Sequence, residues 1–108
     1  MGPNMRKREI PPVHPGEILL EDLMMPLGMT VEHLAAALNV NPRLIAQVVS
    51  GKARITANLG LRLSHHFDMS PRFWINLQAK YDFLKAQERQ AEEIERTVKV
   101  REDLQVTA

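Results

Sequence analysis

Four side chains within one short stretch carry hydrogen-bonding or apolar groups that can read DNA bases. The guanidinium of Arg43 can donate two hydrogen bonds to guanine, and the Gln47 amide can pair in the same two-point manner with adenine. The apolar side chain of Leu44 can contact a thymine methyl group. We therefore predict that this stretch contacts base edges in the major groove, through Asn41, Arg43, Leu44 and Gln47.

Three residues that flank this stretch, one before it and two after it, are predicted to contact the phosphate backbone. Lys52 and Arg54 follow it closely, and Thr30 stands at the start of the preceding predicted helix, where backbone N–H groups can face a phosphate. The net charge is only +1, but no acidic residue lies between Glu32 and Asp68. An acid-free basic surface attracts a phosphate backbone. Basic stretches are also common as plain solvated surface, so the charge alone leaves both interpretations open.

Other kinds of site lack suitable residues. The chain has no cysteine, which excludes disulfides and thiolate metal ligands. His65 and His66 are adjacent, so on a helix they point about 100° apart and do not form a metal-binding pair. Glu21 and Asp22 are adjacent as well, which is a poor geometry for paired acid/base catalysis. We therefore predict no catalytic site, no metal site and no cofactor.

The length of 108 residues favours a single domain, and the capping and breaking residues predict an all-α fold. Thr30, Asn41 and Thr56 are N-cap residues, and Pro42 suits the first position of a helix. Asn39 suits the left-handed conformation that a tight turn requires. Five helices are predicted: from Pro15 or Gly16 to about Met25, ended by Pro26-Leu27-Gly28; from Val31 to Leu38; from Pro42 to a stop at Gly51; from Thr56 to Phe67; and from Pro71, capped by Ser70, onward.

The two ends of the chain are less regular than its middle. Residues 1–13 are predicted to form a flexible N-terminal arm, and residues 87–108 a polar helical extension with a tail. Val98 and Val100 alternate with charged residues, which leaves a short strand and a frayed tail as alternatives. No apolar run approaches the roughly 20 residues that a membrane-spanning helix needs.

The two short helices on either side of residues 39–41 are predicted to form a helix-turn-helix. Ala35 lies where the helices would cross, and its small side chain permits a close approach. Val40 can fill the turn from inside, while Ile45 and Val48 anchor the second helix. The four predicted base-reading residues then lie on the outward face of that helix, which is how a recognition helix enters a major groove about 12 Å wide. A plain helix pair within an all-helical core is the alternative.

The predicted fifth helix carries more apolar residues than one buried face needs. Its stripe of Trp74, Leu77, Tyr81 and Leu84 repeats every three or four residues and is predicted to face the core. Further apolar residues lie on its other faces, as in a helix buried between two subunits. The pattern leaves two alternatives, a core helix alone and a core helix that also forms a dimer interface, for Phe73, Trp74, Ile75, Leu77, Tyr81 and Phe83.

Several motifs together resemble one known family. The segment Thr30–Lys52, TVEHLAAALNVNPRLIAQVVSGK, resembles the XRE-type helix-turn-helix of phage repressors. It departs from them at Val31, where they often carry a glutamine that grips phosphate, at Asn39 in place of glycine, and at Pro42. Over roughly residues 14–86 the chain is similar to the HigA antitoxins, also called VapI-like proteins, in the motifs HPGEIL (14–19), PLG (26–28), GKARIT (51–56) and FWINLQ (73–78).

The resemblance implies a five-helix, lambda-repressor-like domain over residues 14–86 that binds DNA and forms a homodimer. It also implies a cytoplasmic protein that binds a palindromic operator, represses its own operon and neutralises a small, basic, RelE-like toxin that cleaves mRNA. Two alternatives remain. One is a stand-alone regulator of the same family without a toxin, and the other is a protein-interaction module with little DNA binding.

Overall fold

The chain forms five helices in the computed structural model, which describes residues 11–103. No strand occurs among these residues, and the predicted all-α class is confirmed. Residues 1–10 of the predicted arm and residues 104–108 of the predicted tail lie outside the described part. α1 is continuous through three segments, Pro15–Ile18, Leu19–Met24 and Met25–Leu27; the other helices are α2 (Val31–Leu38), α3 (Pro42–Val49), α4 (Ala57–Phe67) and α5 (Arg72–Thr97).

The predicted N-caps are confirmed by their hydrogen bonds. The side chains of Thr30, Asn41 and Thr56 each accept a hydrogen bond from a first-turn amide, at 3.1, 2.8 and 3.2 Å respectively. The first turn of a helix leaves its amides without backbone partners, and each cap satisfies one of them. The starts of α2, α3 and α4 therefore follow from local sequence.

α1 differs from the prediction in its middle and at its end. The segment Leu19–Met24 is π-helical, and the N–H of Met25 bonds to the carbonyl of Leu20, five residues back. The helix continues through Pro26 and stops at Gly28, which is left-handed with φ 66°. In a regular α-helix the proline ring clashes with the carbonyl four residues before it, and the wider π-helical turn gives the ring room. The predicted end near Met25 was therefore too early.

α5 begins at Arg72, one residue later than predicted, and runs to Thr97. The Ser70 hydroxyl still accepts a hydrogen bond from the Arg72 amide, at 3.3 Å. Much of the predicted polar extension is thus helical. The strand considered after it does not form within residues 98–103, where Arg101 and Asp103 make an ion pair of 2.6 Å.

The core lies between all five helices, and α1 approaches α3 very closely. At the crossing stands Gly16, where a Cβ atom would lie only 1.8 Å from the carbonyl oxygen of Val48. Only a residue without a side chain fits there, so α1 rests directly on the last turn of α3. The buried apolar residues are Leu19, Met24, Leu34, Ala35, Leu38, Ile45, Val48, Ile55, Leu59, Leu63 and Trp74.

Candidate nucleic-acid interface

A sharp turn separates α2 from α3, as the sequence predicts. Asn39 is left-handed, with φ 58° and ψ 49°, and the amide of Val40 donates to the carbonyl of Ala35 at 3.0 Å. The guanidinium of Arg62, on α4, donates to the carbonyls of Leu38 and Asn39 at 2.8 and 3.3 Å. Arg62 lies in the acid-free basic stretch, but its guanidinium is used to bond the carbonyls at the end of α2. The predicted helix-turn-helix is confirmed, and this long-range support for it was missed.

α3 presents one buried face and one exposed face. Ile45 and Val48 are 0 % exposed, which fixes how the helix is rotated on the core. Residues near its N-terminus on the other side are open to solvent, and the first turn of α3 contains no acidic residue. A helix in this orientation can approach a groove with its N-terminal turn leading. The exposed residues include three members of the predicted base-reading set, Asn41, Arg43 and Gln47.

The four predicted base-reading residues differ in how free their side chains are. Leu44 is half-buried and packs against the core, so only part of it could meet a thymine methyl group. The side-chain oxygen of Asn41 is occupied by the cap of α3, which leaves its amide NH₂ group as a donor. Arg43 and Gln47 make no side-chain hydrogen bond or ion pair with any residue in the described part of the chain. Their donor groups are available to a ligand.

The three predicted phosphate-contacting residues are all exposed, but only Lys52 is unengaged. Its ammonium group has no ion pair among residues 11–103, and its backbone amide donates to the carbonyl of Gln47 at 2.8 Å, which holds it next to α3. The hydroxyl of Thr30 is used as the cap of α2. The guanidinium of Arg54 already makes an ion pair of 2.9 Å with Asp82 on α5.

A buried glutamine anchors the loop that carries Lys52 and Arg54. Gln78 is 3 % exposed, and its side-chain oxygen accepts from the amide of Ile55 at 2.8 Å. Its side-chain nitrogen donates to Asp82 at 3.0 Å, and Asp82 in turn receives Arg54. This network joins the loop to α5. Residue type and spacing did not predict this network, although Gln78, a polar residue beside the apolar stripe of α5, is a usable signal.

His14 ties the start of α1 to the same region. Its Nδ1 atom accepts a hydrogen bond from the Gly16 amide at 2.8 Å, and its ring lies edge-on to Tyr81 with 4.9 Å between ring centroids. Burial lowers the pKa of His14 below its ordinary value of 6.5, against the smaller raising effects of the Ala53 backbone and the carboxylates of Asp82 and Glu17. The lowered pKa favours the neutral imidazole, whose Nδ1 atom serves as a structural acceptor.

The predicted core and dimer set on α5 divides by exposure. Trp74 is fully buried, and Leu77 and Tyr81 are half-buried. Three large apolar side chains on the same helix face solvent instead, with exposed fractions of 38, 37 and 61 % for Phe73, Ile75 and Phe83. These three side chains are therefore open to solvent or to a second chain.

The described residues offer neither a metal-binding cluster nor a membrane-spanning helix. No group of three or more His, Cys, Asp or Glu side chains within residues 11–103 could hold a metal ion. None of the five helices is both long enough and apolar enough to cross a membrane.

Comparison with known proteins places similar chains among antitoxins and regulators. Virulence-associated protein I of Dichelobacter nodosus is 40 % identical over 82 residues, which is 76 % of each chain. Antitoxin HigA-1 of Vibrio cholerae is 32 % identical over 89 residues, 82 % of this chain and 84 % of that one. The solved structure of the Pseudomonas aeruginosa antitoxin HigA with the higBA promoter superposes with a TM-score of 0.79 at 34 % identity, covering 82 % of this chain and 96 % of that one. No protein-family model matches the chain.

Proposed function

Because the chain belongs to the HigA family of helix-turn-helix antitoxins, we propose that it binds its own operator and represses the operon that encodes it. The observation that carries the proposal is the rotation of α3. Ile45 and Val48 are completely buried on one side, while Arg43 and Gln47 are exposed and without partners on the other. This is the arrangement a recognition helix needs in the major groove.

Sequence specificity would come chiefly from two side chains. Arg43 can bind guanine through O6 and N7, and Gln47 can bind adenine through N6 and N7. They lie four residues apart on α3 and therefore share one face of the helix. Asn41 can add a single donor and Leu44 a limited apolar contact, since each is partly committed to the fold.

Phosphate contacts would hold α3 in register without reading sequence. Lys52 is the strongest candidate because its ammonium group is unengaged. Arg54 uses one guanidinium N–H group on Asp82, so its remaining donors would be shared between that carboxylate and a phosphate. Thr30 would contribute through the free backbone amides at the start of α2, opposed by the carboxylate of Glu32 in the same turn.

The active form would be a symmetric dimer on a palindromic operator. A two-fold axis places two recognition helices about 34 Å apart, one turn of the duplex, so that both enter the same face. α5 offers an interface, because Phe73, Ile75 and Phe83 remain exposed in the single chain. Burial of these side chains between two copies would remove apolar surface from water.

As an antitoxin, the protein would act in the cytoplasm, where it would bind and neutralise a small basic toxin that cleaves mRNA in the manner of RelE. The kinship with antitoxins supports this part of the proposal. The stand-alone regulator remains the competing function. The antitoxin function predicts an adjacent reading frame of about 100 residues that encodes a small basic ribonuclease. The purified product of that reading frame should lose its mRNA-cleaving activity when this protein is added.

DNA binding is tested by fluorescence anisotropy on two duplexes, the region upstream of the reading frame and a shuffled duplex of equal length. Arg43→Ala is expected to weaken operator binding by about 5- to 150-fold, the loss of one two-point base contact. The matched control is Arg89→Ala, which removes the same charge from an exposed position on α5.

On the shuffled duplex the two variants should behave alike. An Arg43→Ala variant that loses as much affinity for shuffled DNA as for the operator would show that Arg43 does not read bases. A wild-type protein that does not discriminate between the duplexes would contradict operator binding and favour the protein-interaction module.

A further inference from the structure

A groove runs between α1 and α5, next to residues 11–13. It encloses about 450 Å³. The floor is apolar and consists of Ile18, Leu77, Tyr81 and Leu84, which are all half-buried. Three exposed carboxylates of α1, Glu17, Glu21 and Asp22, form the rim. We call this feature the acidic groove.

Within residues 11–103, no contact in the fold accounts for the clustering of the three rim carboxylates. None of them makes an ion pair with a residue in the described part of the chain. Glu17 lies in the first turn of α1, where its negative charge interacts favourably with the helix dipole. Glu21 and Asp22 lie beyond that turn. Glu17 and Glu21 are four residues apart, so their like charges disfavour the helix. A cationic partner would relieve this repulsion.

Among the residues that the structure describes, charge around the groove is strongly one-sided. Residues 9–42 contain no lysine or arginine, and within residues 11–103 Lys80 of α5 is the one cation that lines the groove. Such a surface repels a DNA backbone and attracts a basic one, and the attraction raises association rates with basic partners. An apolar floor inside a charged rim also matches the build of protein interfaces, which have an apolar centre and a polar margin.

The acidic groove and Phe83 of the proposed dimer surface lie on different sides of α5. Leu77 and Leu84 are seven residues apart on α5 and lie on the same side of the helix. Phe83 follows Leu77 by six residues, which at 100° per residue places it about 120° around the helix axis. A partner in the groove therefore need not displace a second copy held through Phe83.

Resting on the proposed antitoxin function, we propose that the acidic groove is the surface that binds the toxin. Its occupant would be a segment of the basic toxin that places lysine or arginine side chains against the α1 carboxylates and an apolar side chain on the floor. The floor residues from Leu77 to Leu84 extend over about 10 Å along α5, enough for two turns of a partner helix.

The test measures binding of the full chain to the purified product of the adjacent reading frame by isothermal titration calorimetry. The triple variant E17Q/E21Q/D22N removes the rim charge without removing side-chain volume. A second variant, V13S, removes an apolar contact from a groove-lining residue that is 47 % exposed. The control triple E92Q/E93Q/E102Q makes the same change of charge at exposed positions away from the groove.

The rim variant is expected to bind the toxin at least about 10-fold more weakly than the wild type, with a shallower salt dependence of the affinity. V13S is also expected to bind the toxin more weakly, but with the salt dependence of the wild type. The control triple, and operator binding by all three variants, should match the wild type.

If the rim variant binds the toxin with wild-type affinity, the proposal that the acidic groove binds the toxin is wrong, while the antitoxin function still stands. Absence of toxin binding by the wild type would overturn the antitoxin function and this proposal with it. A rim variant that is monomeric where the wild type is dimeric in analytical ultracentrifugation would show that a second copy, rather than the toxin, occupies the groove.

Discussion

The side chain of Gln78 should contribute more to stability than an exposed glutamine of the same helix. Its oxygen is the acceptor for the amide of Ile55, at 2.8 Å, and both residues are buried, with 3 and 2 % exposure. Gln78→Met keeps nearly the same length and volume but removes this acceptor. The Ile55 amide would then be buried without a partner, which costs about 1–3 kcal/mol.

The expected loss of unfolding free energy is large enough to measure by urea unfolding. Small domains are stable by about 5–15 kcal/mol, so the loss is a substantial fraction of the total. For a domain of this length each kcal/mol lowers the Tm by about 4–8 °C. Urea unfolding can be followed through the fluorescence of Trp74, the only tryptophan and fully buried. One fixed protein concentration is used, because the proposed dimer would gain stability with concentration.

The matched control is Gln90→Met, the same substitution at an exposed position of the same helix, which should change stability by less than about 0.5 kcal/mol. The m-value of Gln78→Met should equal that of the wild type, since the folded state stays compact. If Gln78→Met and Gln90→Met unfold at the same urea concentration, the Ile55 amide does not depend on Gln78, and the loop that carries Lys52 and Arg54 is held by other contacts.

Two further predictions concern the phosphate contacts and the packing of α1. Lys52→Ala should weaken binding to the operator and to shuffled DNA alike, and should reduce the slope of log K against log salt by about 0.9, the value for one phosphate contact; an unchanged slope would show that Lys52 does not meet a phosphate. Gly16→Ala should destabilise the fold by about 1–3 kcal/mol in urea unfolding, because its Cβ would lie 1.8 Å from the Val48 carbonyl and α1 must move off α3. A variant as stable as the wild type would mean that α1 can shift without loss.

Local signals were sufficient for the starts of α2, α3 and α4 and for the rotation of α3. The caps at Thr30, Asn41 and Thr56 each act on an amide two or three residues away, so the sequence window that contains the cap also contains its effect. Asn39 adopts the left-handed conformation predicted for it, since this preference belongs to the residue itself. Apolar spacing then placed Ile45 and Val48 inside and Arg43 outside.

Local signals were insufficient where a side chain takes its partner from another helix. Arg54 and Arg62 look alike in sequence, as cations in an acid-free stretch. In the fold, Arg54 pairs with Asp82, 28 residues away, and Arg62 closes the end of α2 by donating to Leu38, 24 residues away. Neither pairing can be predicted from residue type or spacing, because each depends on how α4 and α5 cross the rest of the molecule.

The sequence by itself thus determined where α2, α3 and α4 begin, where the chain turns between α2 and α3, and which face of α3 meets water. These features depend on backbone preferences and on periodicity over a few residues. The tertiary structure alone decided which cations stay free, which polar group is buried and where the carboxylates of α1 lie beside an apolar floor. Those properties arise only when helices distant in sequence are packed together, since packing sets the distances that hydrogen bonds and ion pairs require.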